Sequence, residues 1–460
     1  MPGSLHLEAH MGNTFGVSGL RGEANLSLTA DVVYNFGRFL GWYIRKGLNH
    51  IPKAVIGKDT RRSSDLLESA ISAGLMASGV DVYPMGVTTT PSVSFITHSD
   101  SFDCGVMITA SHNPYYDNGI KVIASNGEPM GDSIFSEFQG YYENTRMDEI
   151  PYADRDSIGK CVDYQIGRQH YIDHLVAVPS VSLKGIRIGI DCANGASSMI
   201  AHSVFDRLDC EVFFINDAPD GFNINNNCGS AHLEVIRSLV LEKGLDAGFS
   251  LDGDADRCMA VDEDGNEVTG DHFNLIYATY LKKRGRLASN LVVGTVVSNL
   301  GLKKALEKEG IDFLTTGVGE PLVRKCMVEH GCIIGGEQCG HMVFSEHSTT
   351  GDGIVTTLKM LSVIAEEKKS LKELGSSLHM LPQLTVNVRV SDKKAASSDP
   401  DVQATVRKIT DTLGSSGRVL MRHSDTESLV RVMVEAETET MCKDYANQIV
   451  SVIKEKGYTV

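Results

Sequence analysis

One short segment of this 460-residue chain places three reactive side chains close to a predicted strand. Residues 109–114 read Thr-Ala-Ser-His-Asn-Pro and follow an apolar run, 104–108, that predicts a buried strand. Asn-Pro and the later Asp-Asn-Gly are turn signals, so we expect a loop after the strand. Ser111 is a candidate nucleophile or phosphoryl carrier, His112 lies beside it, and Lys121 is a possible proton donor or charge clamp. From this segment alone, an ordinary polar turn is the alternative.

A second segment carries three carboxylates at alternate positions. Residues 252–257 read Asp-Gly-Asp-Ala-Asp-Arg after a strand-like run, so Asp252, Asp254 and Asp256 can point at one centre. Hard oxygen ligands of this kind suit Mg²⁺. A calcium-binding EF-hand loop is rejected, because Arg257 stands where that loop needs glycine and the flanks predict strands. The pattern therefore favours a magnesium site over a solvated turn.

Two further segments combine polar side chains with turn residues. Residues 335–341 read Gly-Gly-Glu-Gln-Cys-Gly-His. The Glu and the His suit hydrogen bonds to sugar hydroxyls or proton transfer, although a lone His is more often structural. Residues 422–431 place two arginines around a hydroxyl-rich turn. Guanidinium groups, hydroxyls and backbone N–H groups there predict a phosphate cradle, with a solvated hairpin as the alternative.

The elements that must position these segments repeat along the chain. A strand, a polar loop, a helix and a second strand occur near residues 54–83, 186–214 and 291–314. This spacing predicts three similar mixed-sheet α/β domains whose strands are mostly parallel and whose ligands bind at strand carboxyl ends. The last segment differs, because strands near 384–390 and 418–434 and a closing helix predict an α+β domain with an antiparallel sheet.

Domain boundaries follow from these patterns. Residues 1–10 are interpreted as an added leader ahead of a natural start at Met11, and they are left out of the fold prediction. Each remaining domain carries one of the four segments. The predicted domains are domain 1 (11–160, with the Ser111 segment), domain 2 (161–264, with the three aspartates), domain 3 (265–380, with the Glu and His) and domain 4 (381–460, with the two arginines).

Composition limits the classes of partner. The formal charge is −16, with 42% hydrophobic and 22% charged residues, and the sequence has no apolar run of transmembrane length. The charge disfavours nucleic acid or an anionic membrane as the main partner, so an anionic substrate would need a locally basic cleft. Ten cysteines without C-x-x-C pairs fit the reduced thiols of a cytoplasmic protein.

Together the four segments resemble the α-D-phosphohexomutase superfamily, over essentially the whole chain from Met11. Residues 109–114 resemble its phosphoserine loop, and residues 252–257 resemble its metal loop. Residues 337–341 resemble its sugar-recognition loop, where Gln338 favours the branch that acts on glucosamine phosphate. Further matches lie at residues 115–121, 222–225 and 228–230. The resemblance implies four domains around one deep cleft, each contributing one of these loops.

The resemblance also implies a reaction. Phosphorylated Ser111 would pass its phosphoryl group to a hexosamine phosphate. The resulting 1,6-bisphosphate would reorient end over end in the site, and its other phosphate would then return to the serine. The net reaction would interconvert glucosamine 6-phosphate and glucosamine 1-phosphate. Mg²⁺ is the implied cofactor, with Ser111 and the three aspartates as its ligands. Lys121 is implied as a general acid/base candidate, with His341 as a second candidate and His112 in support.

The remaining site residues are implied by the same resemblance. Arg21 and Arg257 would stabilise the anionic centre, and Glu337 and Cys339 would contact sugar hydroxyls. The distant phosphate would be held by Arg422, Ser424, Asp425, Thr426 and Arg431. Several positions depart from the family pattern. In the phosphate loop Asp425 replaces a glycine and Ser428 a proline, Cys339 replaces a serine, and Val17-Ser18 stand where Thr-Asp is common. The acid could repel a phosphate, and a thiol is a weaker hydrogen-bonding group than a hydroxyl.

Other functions stay open on this evidence. A phosphomannomutase or phosphoglucomutase would share the four loops and differ only in local detail. A non-catalytic sugar-phosphate binding protein is suggested by Asp425 and Cys339, although intact Ser111 and Lys121 argue against it, because a pure binder needs no phosphoryl carrier. A metal-dependent phosphatase is a weaker alternative. We expect a monomer or a homodimer.

Overall fold

The computed structural model describes residues 15, 16, 19–423 and 428–460. By their contacts, these residues form two units. The first unit contains the described residues up to 297 and residues 311–376, and the second contains residues 298–310 and 377–460. Within the described ranges, no helix combines the length and the apolar character needed to cross a membrane.

The first unit begins with a six-stranded mixed sheet covered by helices. Its elements are β1 (Phe15–Gly16), β2 (Gly19–Glu23), α1 (Ala30–Arg45), β3 (Lys53–Lys58), α2 (Ser64–Ala77), β4 (Asp81–Val87), α3 (Thr90–Ser99), β5 (Cys104–Ile108), β6 (Asp117–Ala124) and α4 (Ser133–Glu143). The strand order is β1-β2-β6-β5-β3-β4, and β3 pairs in parallel with both β4 and β5. Helix α1 forms because Phe36 and Leu40 recur at helical spacing, and both side chains are fully buried in the domain core.

The expectation that Asp-Asn-Gly belongs to the loop after β5 was wrong. The chain turns only as far as Tyr116, and Asp117 begins strand β6. Strand β6 lies between β2 and β5 and pairs antiparallel with both. Ladder hydrogen bonds on both edges therefore override the local turn preference of Asp-Asn-Gly. Lys121 consequently projects from a rigid strand.

Two smaller mixed sheets complete the first unit. The next part contains α5 (Ile166–Val176), β7 (Arg187–Asp191), α6 (Ala201–Phe205), β8 (Glu211–Ile215), α7 (Glu234–Lys243), β9 (Ala247–Leu251), β10 (Cys258–Asp262), β11 (Glu267–Val268) and α8 (Gly270–Lys283). Its strand order is β11-β10-β9-β7-β8. The helix of this second repeat is short, because a single 3₁₀ turn (Ala196–Met199) precedes α6, which ends at Phe205.

The third sheet has the order β13-β12-β14-β15. Its strands and neighbouring helices are β12 (Leu291–Thr295), α9 (Leu300–Lys308), β13 (Asp312–Thr316), α10 (Glu320–His330), β14 (Ile334–Gly336), β15 (Met342–Phe344), α11 (Gly353–Glu367) and α12 (Leu371–Gly375). Strand β12 pairs in parallel with β13 and β14, and β15 pairs antiparallel with β14. By its contacts, helix α9 is grouped with the second unit.

The second unit contains the antiparallel sheet that the alternating pattern predicts. Its remaining elements are β16 (Gln383–Arg389), α13 (Lys393–Ser398), α14 (Pro400–Leu413), β17 (Arg418–His423), β18 (Leu429–Glu435) and α15 (Glu439–Glu455). Strand β18 lies between β16 and β17 and is antiparallel to both. Val430, Val432 and Val434 alternate along β18 and are fully buried in the core of this unit, which also includes Ile449 of α15.

Candidate active site

The predicted loops of the first three domains occupy equivalent places in three related sheets. In each sheet a central strand has two parallel neighbours, and the second of these neighbours leads into an antiparallel strand. The connection after it carries the functional residues each time. Ser111 lies between β5 and β6, the three aspartates lie between β9 and β10, and Glu337 lies between β14 and β15. Equivalent connections in the three sheets therefore carry a serine, three aspartates and a glutamate, which are side chains of different chemical character.

The predicted phosphoserine loop holds Ser111 in an unusual backbone conformation. Its φ is +52°, a left-handed value that few residues other than glycine adopt. Its N–H donates to the Thr109 hydroxyl at 2.9 Å, and its own Oγ donates to Asp252 Oδ2 at 2.7 Å. His112 Nδ1 lies 3.4 Å from the same Oγ. Burial, reinforced by the charges of Arg257 and Arg21, lowers the pKa of His112 to about 4, so this ring is neutral near pH 7.

The three aspartates meet as their spacing predicts. One oxygen from each of Asp252, Asp254 and Asp256 lies within 4.8 Å of the others, and all three residues are buried. Their loop connects two antiparallel strands, in agreement with the rejection of an EF-hand. Thr90, at the start of α3, donates its hydroxyl proton to Asp254 and its N–H to the Asp254 carbonyl at 3.0 Å. The aspartate loop is thereby fixed to the neighbouring domain.

The chemistry of this donor set fits a divalent cation. Burial raises the pKa of Asp252 to about 8, and the adjacent carboxylates of Asp256 and Asp254 add to the effect. Among the described residues, Asp254 Oδ1 and Asp256 Oδ1 are buried without a hydrogen-bond partner. Buried carboxylates are costly without a compensating positive charge, and a hard divalent ion accepts oxygen ligands of this kind. The aspartates therefore form a divalent-metal site.

Several cationic groups surround the three aspartates. Lys121 Nζ donates to Asp254 Oδ2 and to Asp256 Oδ2, both at 2.7 Å. Burial on its own lowers the pKa of Lys121, but the two carboxylates outweigh it and raise the pKa above its ordinary range. Arg257 Nε lies 3.9 Å from Asp256 Oδ1, and Arg21 reaches the same cleft from strand β2. These cationic groups offset the negative charge of the three aspartates at the place where an anionic substrate would bind.

The predicted sugar-recognition loop is a tight hairpin between β14 and β15. The Glu337 N–H donates to the His341 carbonyl at 3.0 Å, and the Cys258 N–H donates to the Gly340 carbonyl at 3.0 Å. Gly340 has φ +88°, and a Cβ at this position would lie 1.9 Å from the Cys258 carbonyl oxygen, so no side chain fits there. Glu337 and the exposed Cys339 line the cleft that also contains Ser111.

His341 lies between two carboxylates. Its Nδ1 is 3.6 Å from Asp256 Oδ1, and its Nε2 is 3.2 Å from Glu320 Oε2. Burial alone lowers the pKa of His341, but these two carboxylates outweigh it and hold the pKa well above its usual value. Sequence reasoning missed Glu320, because an acidic residue in the first turn of a helix is an ordinary feature.

One cleft of about 360 Å³ collects most of the predicted residues of the first unit. The predicted residues that line it are Arg21, Ser111, Lys121, Asp256, Arg257, Glu337, Cys339 and His341. His112 faces a second cavity on the other side of the loop. The predicted phosphate loop belongs to the second unit, where Arg422 and Arg431 occupy directly opposed positions on β17 and β18. Ser424, Asp425 and Thr426 lie outside the described residues.

Comparison with known protein families places these features in context. Four models of phosphoglucomutase/phosphomannomutase domains match this chain: α/β/α domain I at residues 12–147, domain II at 169–265, domain III at 269–380 and the C-terminal domain at 386–452. The chain belongs to the phosphoglucomutase/phosphomannomutase family. Membership confirms the resemblance to the phosphohexomutases and the expected fold class, with three mixed-sheet α/β domains and an α+β C-terminal domain.

Curated members of the phosphoglucomutase/phosphomannomutase family resemble this chain over nearly its full length. The phosphoglucosamine mutase of Lachnospira eligens is 51% identical over 453 residues, which are 98% of this chain and 100% of that protein. The phosphoglucosamine mutase of Lachnoclostridium phytofermentans is 48% identical over 97% of this chain and 99% of that protein.

Solved structures of the same family share the fold. A phosphoglucomutase/phosphomannomutase family protein from Burkholderia thailandensis superimposes with a TM-score of 0.82 at 23% identity, covering 97% of this chain and 99% of that one. N-acetylphosphoglucosamine mutase from Aspergillus fumigatus, in complex with GlcNAc-6P and magnesium, gives a TM-score of 0.68 at 18% identity, covering 99% and 100%. At these identities the likeness establishes the fold alone.

Proposed function

We propose that this chain is an isomerase that interconverts glucosamine 6-phosphate and glucosamine 1-phosphate through a phosphoserine enzyme and a 1,6-bisphosphate. The observation that carries the proposal is the position of Ser111, whose Oγ donates to the metal-site carboxylate of Asp252 at 2.7 Å. The choice of sugar rests on the relatives named phosphoglucosamine mutase, which are 41–51% identical to this chain. The position of Ser111 thus supports the proposed chemistry, and the relatives support the proposed substrate.

Phosphoryl transfer follows from the groups around Ser111. The bond between Oγ and phosphorus breaks as a sugar hydroxyl oxygen bonds to phosphorus, and the hydroxyl proton moves to a base. After the bisphosphate has reoriented end over end, its other phosphate returns to Oγ, and the freed sugar oxygen takes up a proton. A divalent cation on Asp252, Asp254 and Asp256, which we propose is Mg²⁺ with Ser111 as a further ligand, would neutralise charge on the transferring group.

Proton transfer is assigned first to Lys121. Its ammonium lies in the cleft within 2.7 Å of two metal-site carboxylates, so it acts as a charge clamp and as an acid toward the departing sugar oxygen. His341 is the second candidate, and neutral His112 supports Ser111. Arg21 and Arg257 contribute positive charge to the same centre.

Substrate recognition is proposed for two of the predicted loops. Glu337 and Cys339, on the β14–β15 hairpin, are proposed to bind sugar hydroxyls. The phosphate that is not being transferred is proposed to bind Arg422, Ser424, Asp425, Thr426 and Arg431. Guanidinium groups suit this task because they bind phosphate through two parallel hydrogen bonds. We further propose that the protein is cytoplasmic and works as a monomer or homodimer.

The test is a coupled assay of isomerisation with glucosamine 6-phosphate and, in parallel, glucose 1-phosphate, with Mg²⁺ and a trace of bisphosphate. A strong preference for the amino sugar in kcat/KM is the expected result. A preference for glucose 1-phosphate, or for mannose 1-phosphate assayed in the same way, would instead indicate a phosphoglucomutase or a phosphomannomutase, the two activities in the name of the matching domain family. Binding without turnover of any sugar phosphate would support a binding protein, and steady release of inorganic phosphate would support a phosphatase.

A further inference from the structure

Arg61 lies behind the phosphoserine loop with a fully buried side chain. It follows β3, the parallel neighbour of β5, so that it and the loop emerge at the same sheet edge. Its Nη2 donates to the carbonyl oxygens of Ser111 at 2.8 Å and Asn113 at 2.9 Å. Its Nη1 donates to the carbonyl oxygens of Asp117 at 3.1 Å and Pro114. Four carbonyls between Ser111 and Asp117 therefore converge on one guanidinium.

The remaining donor of Arg61 joins a second anchor. Its Nε donates to Asp59 Oδ2 at 2.8 Å, so all five N–H donors of the guanidinium are used. The buried Asp59 carboxylate also accepts the hydroxyl protons of Ser64 at 3.0 Å and Thr109 at 2.7 Å. Because the Thr109 hydroxyl in turn accepts the Ser111 N–H, the network holds the peptide groups on both sides of the Ser111 α-carbon.

Asn225 reaches the same loop from the second domain. Its Nδ2 donates to the Ser111 carbonyl at 2.8 Å and to the Asn113 carbonyl at 3.1 Å. A carbonyl oxygen has two lone pairs, so these two carbonyls are each held by one donor from Arg61 and one from Asn225. The Asn225 N–H donates to the Ala193 carbonyl at 2.9 Å, which fixes the backbone of Asn225 within the second domain.

The conformation that these donors hold is the one that places the nucleophile. A left-handed backbone at a residue such as Ser111 persists only where its surroundings impose it. We propose that Arg61 and Asn225 are positioning residues for phosphoryl transfer, because they hold the Ser111 carbonyl from behind while its Oγ is directed at Asp252. Displacing a reacting atom by about 1 Å costs on the order of a hundredfold in rate. This inference rests on the proposed function for its turnover readout.

The test compares matched pairs of variants of the full chain. Arg61→Lys keeps a positive charge opposite Asp59 but offers three donors from a single point, so it cannot bridge four carbonyls. Asn225→Asp keeps the size of the side chain and its tolerance of φ +56°, but replaces the donor with an acceptor. Each has a control at the next, exposed position, Arg62→Lys and Asn226→Asp.

A positioning role predicts a split between the two kinetic constants. In Arg61→Lys and Asn225→Asp we expect kcat to fall about tenfold to a hundredfold, while the sugar-phosphate KM stays within about threefold of wild type. Both controls should match wild type. The same factor should appear in a single-turnover measurement of phosphate transfer from glucose 1,6-bisphosphate to Ser111, followed by intact-protein mass spectrometry.

Two results would overturn the proposal. One is a kcat within about twofold of wild type in both variants, and the other is a rise in KM with kcat unchanged. If Arg61→Lys fails to fold, Asn225→Asp decides alone, because it leaves the Arg61–Asp59 ion pair intact. Absence of turnover by the wild type would instead contradict the proposed function. The phosphate-transfer measurement would still decide whether Arg61 and Asn225 position Ser111.

Discussion

Acid should loosen the predicted sugar-recognition loop through one buried histidine, His272. Its Nδ1 lies 3.1 Å from the Thr269 nitrogen, whose N–H it accepts at the start of helix α8. The next residue, Gly270, donates its N–H to the Gln338 carbonyl of the sugar-recognition loop at 3.0 Å. A protonated Nδ1 cannot accept the Thr269 N–H. Protonation therefore opens the helix start that supports this loop.

The magnitude follows from proton linkage. Burial lowers the pKa of His272 from 6.5 to about 4, although Asp262 opposes the shift. Between these values the unfolded chain binds the proton and the folded chain does not, so stability is complete above pH 6.5 and falls as the pH falls toward 4. From pH 7 to pH 5 this single group costs about 2 kcal/mol, which lowers Tm by about 2 °C in a protein of 460 residues.

The assay is thermal unfolding of wild type and His272→Gln at pH 7 and pH 5. Glutamine can accept the same N–H without titrating, so the Tm of His272→Gln should fall less than that of wild type, by about 2 °C. His330→Gln, at an exposed histidine of α10, controls for the loss of one imidazole. We also expect the sugar-phosphate KM of wild type to rise more at pH 5 than that of His272→Gln. Equal losses of Tm in the two proteins would refute the reasoning.

Three further outcomes are expected. Ser111→Ala should abolish both isomerisation and the phosphate adduct seen by intact-protein mass spectrometry; residual turnover would point to another phosphoryl carrier. Chelation should abolish activity, and Asp254→Asn should weaken Mn²⁺ binding measured by calorimetry at least about tenfold, whereas unchanged affinity would place the metal elsewhere. Gly340→Ala should give a lower Tm and a higher KM, because its Cβ would lie 1.9 Å from the Cys258 carbonyl oxygen, and wild-type values would show that the hairpin can shift.

The sequence predicted those parts of the site that are contiguous in the chain. The aspartate loop is recognisable because its three carboxylates are only two residues apart, and their convergence needs nothing beyond a turn between strands. Ser111 is recognisable in the same way from its strand and turn signals. Lys121 was found as a residue but placed in a loop, because pairing of β6 with two neighbours is a tertiary effect that local turn preference cannot reveal.

The missed residues act over long sequence distances. Arg61 and Ser111 are 50 positions apart, and Asn225 and Ser111 are 114 apart, so no local pattern connects them. A signal was nevertheless present, because Asp59 and Arg61 directly follow a predicted strand whose carboxyl end should share an edge with the Ser111 strand. Glu320 offered no comparable signal, since its partner His341 lies in a separate hairpin.

The discontinuity of the second unit has a consequence for biosynthesis. Helix α9 belongs by its contacts with residues 377–460, and the Asn299 side chain before it donates to the Leu381 carbonyl at 2.9 Å. On the ribosome, α9 is made well before these partners exist. Its apolar residues, Leu302 and Leu306, are fully buried in the finished protein and are therefore exposed on the nascent chain. The second unit can complete its folding only after residues 377–460 have been synthesised, and until then the exposed leucines of α9 favour aggregation.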